Sequence, residues 1–367
     1  MFRPGALFVC LLPVCAGAVE TMRIAMGAAG SEVAVSGKAL AFGTDSEEAA
    51  FVAVAAGRAV VKRENGRLTL NGNPVVGDAL RFRAGAFAAG ARAEPIRVAE
   101  RQVRGDVVVR LSQGALQLVD VLPLEEYLVG VLGSEMPRTF PAEALKAQAI
   151  AARTYALHKK LEAYGQPFHL GSTVLNQVYG GLAAEDPRTR EAVEATRGLV
   201  LTYELAPIEA YFHAACGGHT ESGLEALGRD LPYLATVDCP CGKEPASRWT
   251  LSLDAAELKS ALGAARPEAL GVLSRTATGR ARRVRIAADR TLDAVTFREK
   301  LGYTRVKSLS FDVERGGGPG RVTLVGRGFG HGAGLCQWGA KAMAESGWDY
   351  RRILLHYYPG TELQALY

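Results

Sequence analysis

The chain has 367 residues, more than the ~100–200 of a usual single domain, so it can bury a sizeable core. Apolar residues make up 48% and charged residues 22%, which is ordinary for a globular protein and excludes long disorder. The net charge of +5 is modest, and no zinc-finger spacing, ribonucleoprotein motif or basic stripe with interleaved aromatics is present, so nucleic-acid binding is not indicated.

The N-terminus has the pattern of a secretory signal peptide. Arg3 supplies the positive charge, Ala6 to Val14 is apolar, and Ala16-Gly17-Ala18 offers small residues for cleavage. The apolar run is too short for a comfortable membrane span, and no later run approaches the ~18 apolar residues that a span needs. We therefore predict that residues 1–18 are removed and that the mature protein is soluble and extracytoplasmic.

Residues 19–104 are predicted to form a β-rich N-terminal subdomain, because short strand-like segments are punctuated by Gly and Asn. The segments are Arg23–Met26, Glu32–Val35, Ala59–Val61 and Arg67–Leu70. Beyond them, Gln113-Gly114 separates Val107–Leu111 from Leu116–Val121, which predicts a β-hairpin. We find no chemical motif in the N-terminal segment.

The most informative segment is Gly133-Ser134-Glu135-Met136-Pro137, which is followed at once by an Ala-rich helix. Pro141 suits the first turn of that helix, and Thr139 is a candidate N-cap. We therefore expect Glu135 to lie in a short turn at a helix N-terminus. A carboxylate held at such a rigid place suits acid/base chemistry.

Two cations share one face of the same helix. Lys146, Ala149, Ile150 and Arg153 follow the i, i+3, i+4, i+7 spacing of a helical stripe. Because the many alanines let other backbone approach closely, we expect a largely buried helix, in which the two cations need partners. Structural ion pairs and contacts to a ligand are both open at this point.

A looser stretch covers about residues 243–300. It contains one helix-like run over Asp254–Leu262 and a second over Phe297–Gly302. The arginine-rich patch between them is interpreted as a solvated face; it comprises Arg280, Arg282, Arg283 and Arg285. The run from Gly316 to Gly320 predicts a turn between strands.

Four cysteines follow the signal peptide: Cys216, Cys239, Cys241 and Cys336. An even number in an exported protein permits disulfides. Cys216, His219, Cys239 and Cys241 would equally supply the ligands of a tetrahedral zinc site. Cys239 and Cys241 are too close for an easy mutual bond, which favours a metal or distant partners. Disulfides, a structural zinc and reduced thiols all stay open.

A glycine-rich loop runs from Gly328 to Gly334 and precedes Gln337-Trp338. Such a loop lets a ligand or another backbone approach closely. It lacks the Lys-Ser/Thr of a phosphate-binding loop, so a nucleotide is not indicated. His331 in this loop is either a satisfied structural histidine or, beside Trp338 and Tyr357, part of a ligand groove.

Together these motifs resemble those of the stage II sporulation protein D and amidase-enhancer family. They follow the family's order over roughly residues 105–364, which is far more specific than one short motif. Besides Ser134-Glu135-Met136-Pro137 and the Ala-rich helix, they are Leu124–Leu128, Gln177–Gly181, Thr196–Leu201, Ala210–Ser222, Pro232–Leu234, Gly328–Ala340 and His356–Thr361. We therefore expect an α+β protein whose mixed α/β catalytic domain, residues 105–364, has a central Ala-rich helix and a variable insert at about 243–300.

The resemblance implies that peptidoglycan glycan strands are the substrate. Sporulation members of the family behave as lytic transglycosylases, and the Glu of this motif is their catalyst, which makes Glu135 the candidate catalytic residue here. We expect a raised pKa for Glu135 from burial against apolar neighbours. The candidate substrate-binding residues of the groove are Lys146, Arg153, Tyr179, His213, His331 and Gln337.

A second reading is a non-catalytic protein. Other members of the family are amidase enhancers, which bind cell wall and stimulate an amidase, so a cell-wall amidase is a candidate partner. A third interpretation, a zinc-dependent amidase or peptidase, has weaker support, because no His-Glu-x-x-His motif is present. Some members bind zinc just ahead of the Gln-Val-Tyr motif, but Leu175-Asn176 replaces the His-Cys pair here. No cofactor is required, and a structural zinc at the cysteines is the candidate metal.

Overall fold

The computed structural model describes residues 19–46, 49–85, 94–172, 177–244, 247–263, 266–315 and 320–367. The signal peptide predicted for residues 1–18 and most of the turn predicted from Gly316 to Gly320 lie outside these ranges. Of the helices within them, none has the length and apolar character that crossing a membrane requires.

The fold is α+β, as predicted, and two large sheets use the first thirteen strands. These strands are β1 (Thr21–Ala29), β2 (Glu32–Gly37), β3 (Ala41–Gly43), β4 (Val52–Ala53), β5 (Arg58–Glu64), β6 (Arg67–Leu70), β7 (Asn73–Pro74), β8 (Ala79–Arg83), β9 (Ile96–Val98), β10 (Arg101–Val103), β11 (Asp106–Ser112), β12 (Ala115–Pro123) and β13 (Leu170–Gly171). A seven-stranded sheet has the order β13-β1-β12-β11-β8-β3-β4, and a six-stranded sheet has the order β10-β9-β2-β5-β6-β7.

Alternating apolar residues explain the strands, and a two-residue turn explains the predicted hairpin. In β1, Met22, Ile24 and Met26 are buried while the residues between them are not. Between β11 and β12, Gln113 and Gly114 both have positive φ, at 46° and 77°, as a hairpin turn of this length requires. The hairpin pairs with β1 and β8, so the seven-stranded sheet is continuous across residue 104.

The helices pack around the Ala-rich α2. They are α1 (Leu124–Glu135), α2 (Ala142–Glu162), α3 (Pro187–Ala195), α4 (Gly223–Leu227), α5 (Ala255–Leu262), α6 (Ala294–Leu301), α7 (Gln337–Glu345) and α8 (Tyr350–Tyr357). Small buried side chains such as Ala149 and Ala152 let α1, α3, α7 and α8 contact α2. The predicted N-cap Thr139 is wrong, because Pro141 occupies that position and no side chain caps the helix.

The remaining strands form four small sheets. They are β14 (Leu199–Tyr203), β15 (Ala206–Pro207), β16 (Phe212–His213), β17 (Arg248–Asp254), β18 (Gly271–Arg275), β19 (Ala281–Ala287), β20 (Arg290–Asp293), β21 (Phe311–Arg315), β22 (Arg321–Arg327), β23 (Leu335–Cys336) and β24 (Glu362–Ala365). The sheet orders are β15-β14-β24, β16-β23, β17-β22-β21 and β18-β19-β20. In the second of them β16 and β23 pair in parallel, which sets His213 beside Cys336.

The insert has a hydrophobic core of its own, which extends beyond the predicted residues 243–300. Its buried residues run from Trp249 to Leu324, whereas the sheets, α1, α2, α7 and α8 share the main core. Both predicted helices of the insert are present as α5 and α6, and Asp254 caps α5 in a capping box with Glu257. Not all of the arginine patch is a solvated face, because the buried Arg280 donates to the carbonyl oxygens of Cys216 and His219 at 2.8 and 3.0 Å.

Candidate active site

Glu135 is the last residue of α1, so the expectation of a turn at a helix N-terminus is wrong. Gly133 and Ser134 continue the helix, and Ser134 Oγ donates to the Gly130 carbonyl oxygen at 2.8 Å. The chain turns into extended backbone only at Met136, just before Pro137. The carboxylate therefore lies at the negative end of a helix dipole, where the neutral acid form is favoured.

Two hydrogen-bond donors contact the half-buried Glu135 carboxylate. The Val178 backbone N–H donates to Oε1 at 2.7 Å, and the Gln337 side chain donates a second hydrogen bond. Burial raises the pKa of Glu135, and these two donors oppose that rise without cancelling it. Across the part of the chain that the structure describes, no second carboxylate is among the groups that shift this pKa. The site thus offers one carboxyl group that retains its proton to higher pH than an exposed Glu.

Buried side chains on both sides of Val178 hold its N–H in place. The Gln177 amide donates to the Ala152 carbonyl oxygen at 3.1 Å and accepts from Tyr127 Oη at 2.9 Å. Tyr179 Oη donates to Asp120 Oδ2 at 2.7 Å, and its ring packs against Tyr127 with centroids 5.3 Å apart. Tyr179 is therefore buried beneath the site, and its predicted place in the groove is wrong. Its contacts position the segment that binds Glu135.

Asp120, the partner of Tyr179, should make stability depend on pH. Burial raises the pKa of Asp120 to about 7, so the folded state keeps a proton that the unfolded chain loses near pH ~4. The free energy of unfolding of the wild type should therefore fall between about pH 4 and 7. Asp120→Asn removes this titration. The free energy of unfolding of the variant, relative to that of the wild type, should therefore rise by roughly 4 kcal/mol between pH 4 and 7.

Urea denaturation of Asp120→Asn and wild type at pH 4.5 and 8 measures this difference. Asp230→Asn, at an exposed position, serves as the control for loss of one carboxylate. A difference between Asp120→Asn and wild type that stays constant with pH would refute the raised pKa.

Arg153 and Lys146 do not share a role. Arg153 is fully buried and donates two parallel hydrogen bonds to Glu125, at 2.9 and 2.7 Å. The prediction that Arg153 lines the groove is therefore wrong, and the alternative, a structural ion pair, is what the structure shows. Lys146 is 27% exposed and pairs with Glu143 at 2.7 Å, one turn away on α2. Of the two cations, only Lys146 can reach a ligand at the surface.

Gln337 and Trp338 reach the site from the start of α7. The Gln337 amide contacts both Glu135 and, at 3.4 Å, Gln148 Oε1 on α2. The half-buried ring of Trp338 packs edge-on against Phe140, with centroids 5.0 Å apart. Phe140 lies on the short connection between Glu135 and α2 and is itself buried, so it supports the ring of Trp338 rather than facing a ligand. Val178 and Phe140 were missed by sequence reasoning: a backbone N–H has no side-chain signature, although Val178 lies inside the Gln-Val-Tyr motif.

His213 and His331 lie against each other, with ring centroids 5.3 Å apart, and bind backbone groups rather than Glu135. His331 Nε2 donates to the Phe212 carbonyl oxygen at 2.9 Å and its Nδ1 accepts from the Ala333 N–H. Burial lowers the pKa of His331 to about 4 and that of His213 well below its usual range. Burial therefore favours the neutral form of both rings. The hydrogen bonds of His331 fit a structural histidine, whereas His213 contacts the Ala333 carbonyl oxygen through Nδ1 and its buried Nε2 has no partner among the described residues.

The four cysteines converge on one point. Cys216, Cys239, Cys241 and Cys336 are buried and form no disulfide bonds in the structure. Their sulfur atoms all lie within 4.8 Å of each other. His219 does not belong to this group, because its Nε2 contacts the Thr278 carbonyl oxygen at 3.1 Å. The predicted ligand set is corrected accordingly, with Cys336 in place of His219.

A cavity of about 790 Å³ lies between the Cys216–His219 loop and the insert. Its lining includes Trp249, Phe311 and Arg280 but not Glu135. The candidate acid therefore lies outside this cavity.

Comparisons with known proteins point to one family. The family model described as Stage II sporulation protein matches residues 112–203, from the end of β11 to the end of β14. Stage II sporulation protein D of Bacillus subtilis is 35% identical over 283 residues, which cover 72% of this chain and 81% of that protein. An uncharacterized protein of Brachyspira hyodysenteriae is 36% identical over 252 residues, covering 67% of this chain and 68% of that one.

An amidase enhancer is also similar. The amidase enhancer of Bacillus subtilis is 31% identical over 299 residues, which cover 65% of this chain but only 40% of that longer protein. The matched family segment includes Glu135, Lys146, Arg153 and Tyr179, whereas the four cysteines lie beyond it.

Proposed function

The chain belongs to the stage II sporulation protein D family, and we propose that it is an extracytoplasmic peptidoglycan lytic transglycosylase whose single acid/base is Glu135. The observation that carries this proposal is the environment of that carboxylate. It is half-buried at the end of α1, its pKa is raised, and one of its oxygens is held by a backbone N–H. These are the properties that a general acid needs near neutral pH.

The proposed reaction uses Glu135 twice. Because Val178 N–H donates to Oε1, we assign the proton of the neutral acid to Oε2. Oε2 gives this proton to the glycosidic oxygen as the bond between that oxygen and C1 of the muramic acid residue breaks. The C6 hydroxyl oxygen of the same residue then bonds to C1, and Oε2 takes the hydroxyl proton. The 1,6-anhydro ring closes, no water is consumed, and Glu135 is protonated again.

The surroundings of Glu135 suit a sugar polymer. The half-buried ring of Trp338, supported by the buried Phe140, is the aromatic surface on which we propose that a pyranose ring packs. On α2, the partly exposed Lys146, which pairs with Glu143, is the cation that we propose for the lactyl carboxylate or an acetamido oxygen. A single carboxyl group fits this reaction better than ordinary glycoside hydrolysis, which uses two.

The second candidate function is a wall-binding amidase enhancer. The observation that favours it is the similarity to the Bacillus subtilis amidase enhancer. In that case the same surface binds glycan, Glu135 acts as a hydrogen-bond partner, and a separate amidase cleaves the wall.

Mass spectrometry of purified glycan strands, with and without stem peptides, separates these functions. A transglycosylase leaves 1,6-anhydro-muramic ends. A hydrolase leaves ends that carry added water, which would overturn the proposed chemistry. If neither substrate is cleaved, stimulation of an added amidase by the same protein would support the enhancer instead.

A substitution of Gln337 tests, through the pH dependence of the rate, whether Glu135 is the general acid. Its hydrogen bond favours the charged carboxylate and therefore lowers the pKa of Glu135. Gln337→Leu removes this donor, so more of the acid stays protonated at a given pH. We expect the alkaline limb of the pH–rate profile to move to higher pH than in the wild type, whatever happens to the maximal rate. A limb that stays in place or moves to lower pH would contradict this role.

A further inference from the structure

We propose that Cys216, Cys239, Cys241 and Cys336 bind one zinc ion in a closed tetrahedral site. The four sulfur atoms lie within 4.8 Å of one another, and Cys216 Sγ and Cys241 Sγ are 3.3 Å apart. Four thiolates about 2.3 Å from a zinc ion would be separated by ~3.8 Å, so the cluster needs only small movements to accept the metal.

The elements that carry the cysteines come from distant parts of the chain. Cys216 follows β16, Cys239 and Cys241 flank Pro240 in a single 3-10 turn, and Cys336 ends β23 and caps α7. A metal at their centre would join these three segments. Four protein ligands leave no open coordination position, so the site is structural rather than catalytic.

Polar groups around the sulfurs match those of a thiolate site. The backbone N–H groups of Cys216 and Gly339 point to Cys336 Sγ at 3.3 and 3.4 Å. Tyr357 Oη lies 3.1 Å from Cys239 Sγ and can donate to it. Such donors orient metal-bound thiolates and spread their negative charge. At Gly339 an added Cβ would collide with Cys239 Sγ and Tyr357 Oη, so the first turn of α7 lies directly against the cluster.

The arrangement favours a metal over disulfides. Two disulfides require two separate pairs of sulfurs, whereas here all four sulfurs surround one centre. Neighbouring free thiols are oxidised in an extracytoplasmic compartment unless something holds them. A tetrahedral set of four thiolates is the site that zinc occupies.

A second group of metal-ligand side chains lacks these features. His158, Glu162 and Glu209 also approach one another. Lys159 and Arg229 form ion pairs with these carboxylates, at 2.6 Å to Glu162 and 2.8 Å to Glu209. The charge of that group is thus balanced without a metal.

The test measures metal in the processed chain, exported to the periplasm of an expression host and purified without chelators. Elemental analysis should find about one zinc per chain, and cobalt exchange should give the intense visible bands of a tetrahedral thiolate complex. Cys241→Ser and Cys336→Ser should lower the zinc content to near zero. His219→Ala, the matched control, should keep one equivalent, because His219 lies outside the cluster.

The wild-type protein keeps the proposal falsifiable if the cysteine variants fail to fold. Titration with a mercurial reagent should release one zinc as four thiols react. Folded wild-type protein that remains metal-free after incubation with zinc, or that contains disulfides among these cysteines, would overturn the proposal. One equivalent of iron would overturn the assignment of zinc.

Discussion

Glu135→Gln should abolish glycan cleavage, with a loss of about 10²–10⁴-fold, the usual contribution of a general acid. The substitution changes little else at the site. The amide oxygen of Gln can still accept the Val178 N–H, and the side chain has nearly the same volume. The amide cannot, however, give a proton to the glycosidic oxygen. Release of anhydro-muramic ends, measured over time by mass spectrometry, gives the rates.

Two controls make the result specific. Glu194→Gln removes a carboxylate on α3 that is 64% exposed, and it should leave the rate within about 3-fold of the wild type. The melting temperature of Glu135→Gln should equal that of the wild type or exceed it, because a buried ionisable group is replaced by a neutral one. A Glu135→Gln variant with more than about a tenth of wild-type activity would refute the assigned role.

Wall binding separates the catalytic role of Glu135 from a binding role. If Glu135 only protonates the leaving oxygen, Glu135→Gln should pellet with purified peptidoglycan as well as the wild type does. Glu135→Ala removes the hydrogen-bonding group as well as the acid. If the protein is an enhancer in which Glu135 binds glycan, Glu135→Ala should lose both binding and amidase stimulation, whereas Glu135→Gln should keep them. The pelleting assay on wild type and the two variants therefore separates the two roles.

Local patterns predicted part of the secondary structure: six of the strands and helices α2, α5 and α6. Alternation defines β1 and β2, the Gln113-Gly114 turn defines the hairpin, and alanines define α2, because each signal lies within a few residues. The same reliance on local signals explains why Glu135 was expected in a turn and not at the end of α1. Gly133 and Ser134 weaken a helix by intrinsic propensity, yet packing of α1 against α2 and α3 extends it to Glu135.

The features that the sequence did not predict depend on contacts between distant segments. Cys336 is 120 residues from Cys216 in sequence, so spacing alone offered the nearer His219 as the fourth ligand. The burial of Arg153 likewise depends on Glu125, which lies on another helix. The family resemblance identified Glu135, but only the fold shows which donors surround it.

Arg153→Met should cost about 3–5 kcal/mol of unfolding free energy, because it leaves Glu125 buried without its partner. Arg153 joins four elements: besides Glu125 on α1, it donates to the carbonyl oxygens of Val193 on α3 and Leu199 on β14, each at 3.2 Å. Met fills similar volume but makes none of these bonds. Urea denaturation at pH 7 measures the loss. Lys62→Met, at an exposed cross-strand pair with Glu32, is the matched control and should leave the free energy of unfolding close to that of the wild type.

The pH dependence and a double variant identify the buried charge as the cause. Burial raises the pKa of Glu125, but hydrogen bonds and charge from Arg153 outweigh that rise, so the pKa is lowered in the folded state. The ion pair therefore stabilises the protein above the unfolded pKa of ~4.5, and its contribution disappears as the pH falls through the lower folded pKa. The deficit of Arg153→Met should shrink in that acidic range, and adding Glu125→Gln should recover part of it at pH 7. If Arg153 instead lined the glycan groove, Arg153→Met would weaken substrate binding and leave stability unchanged.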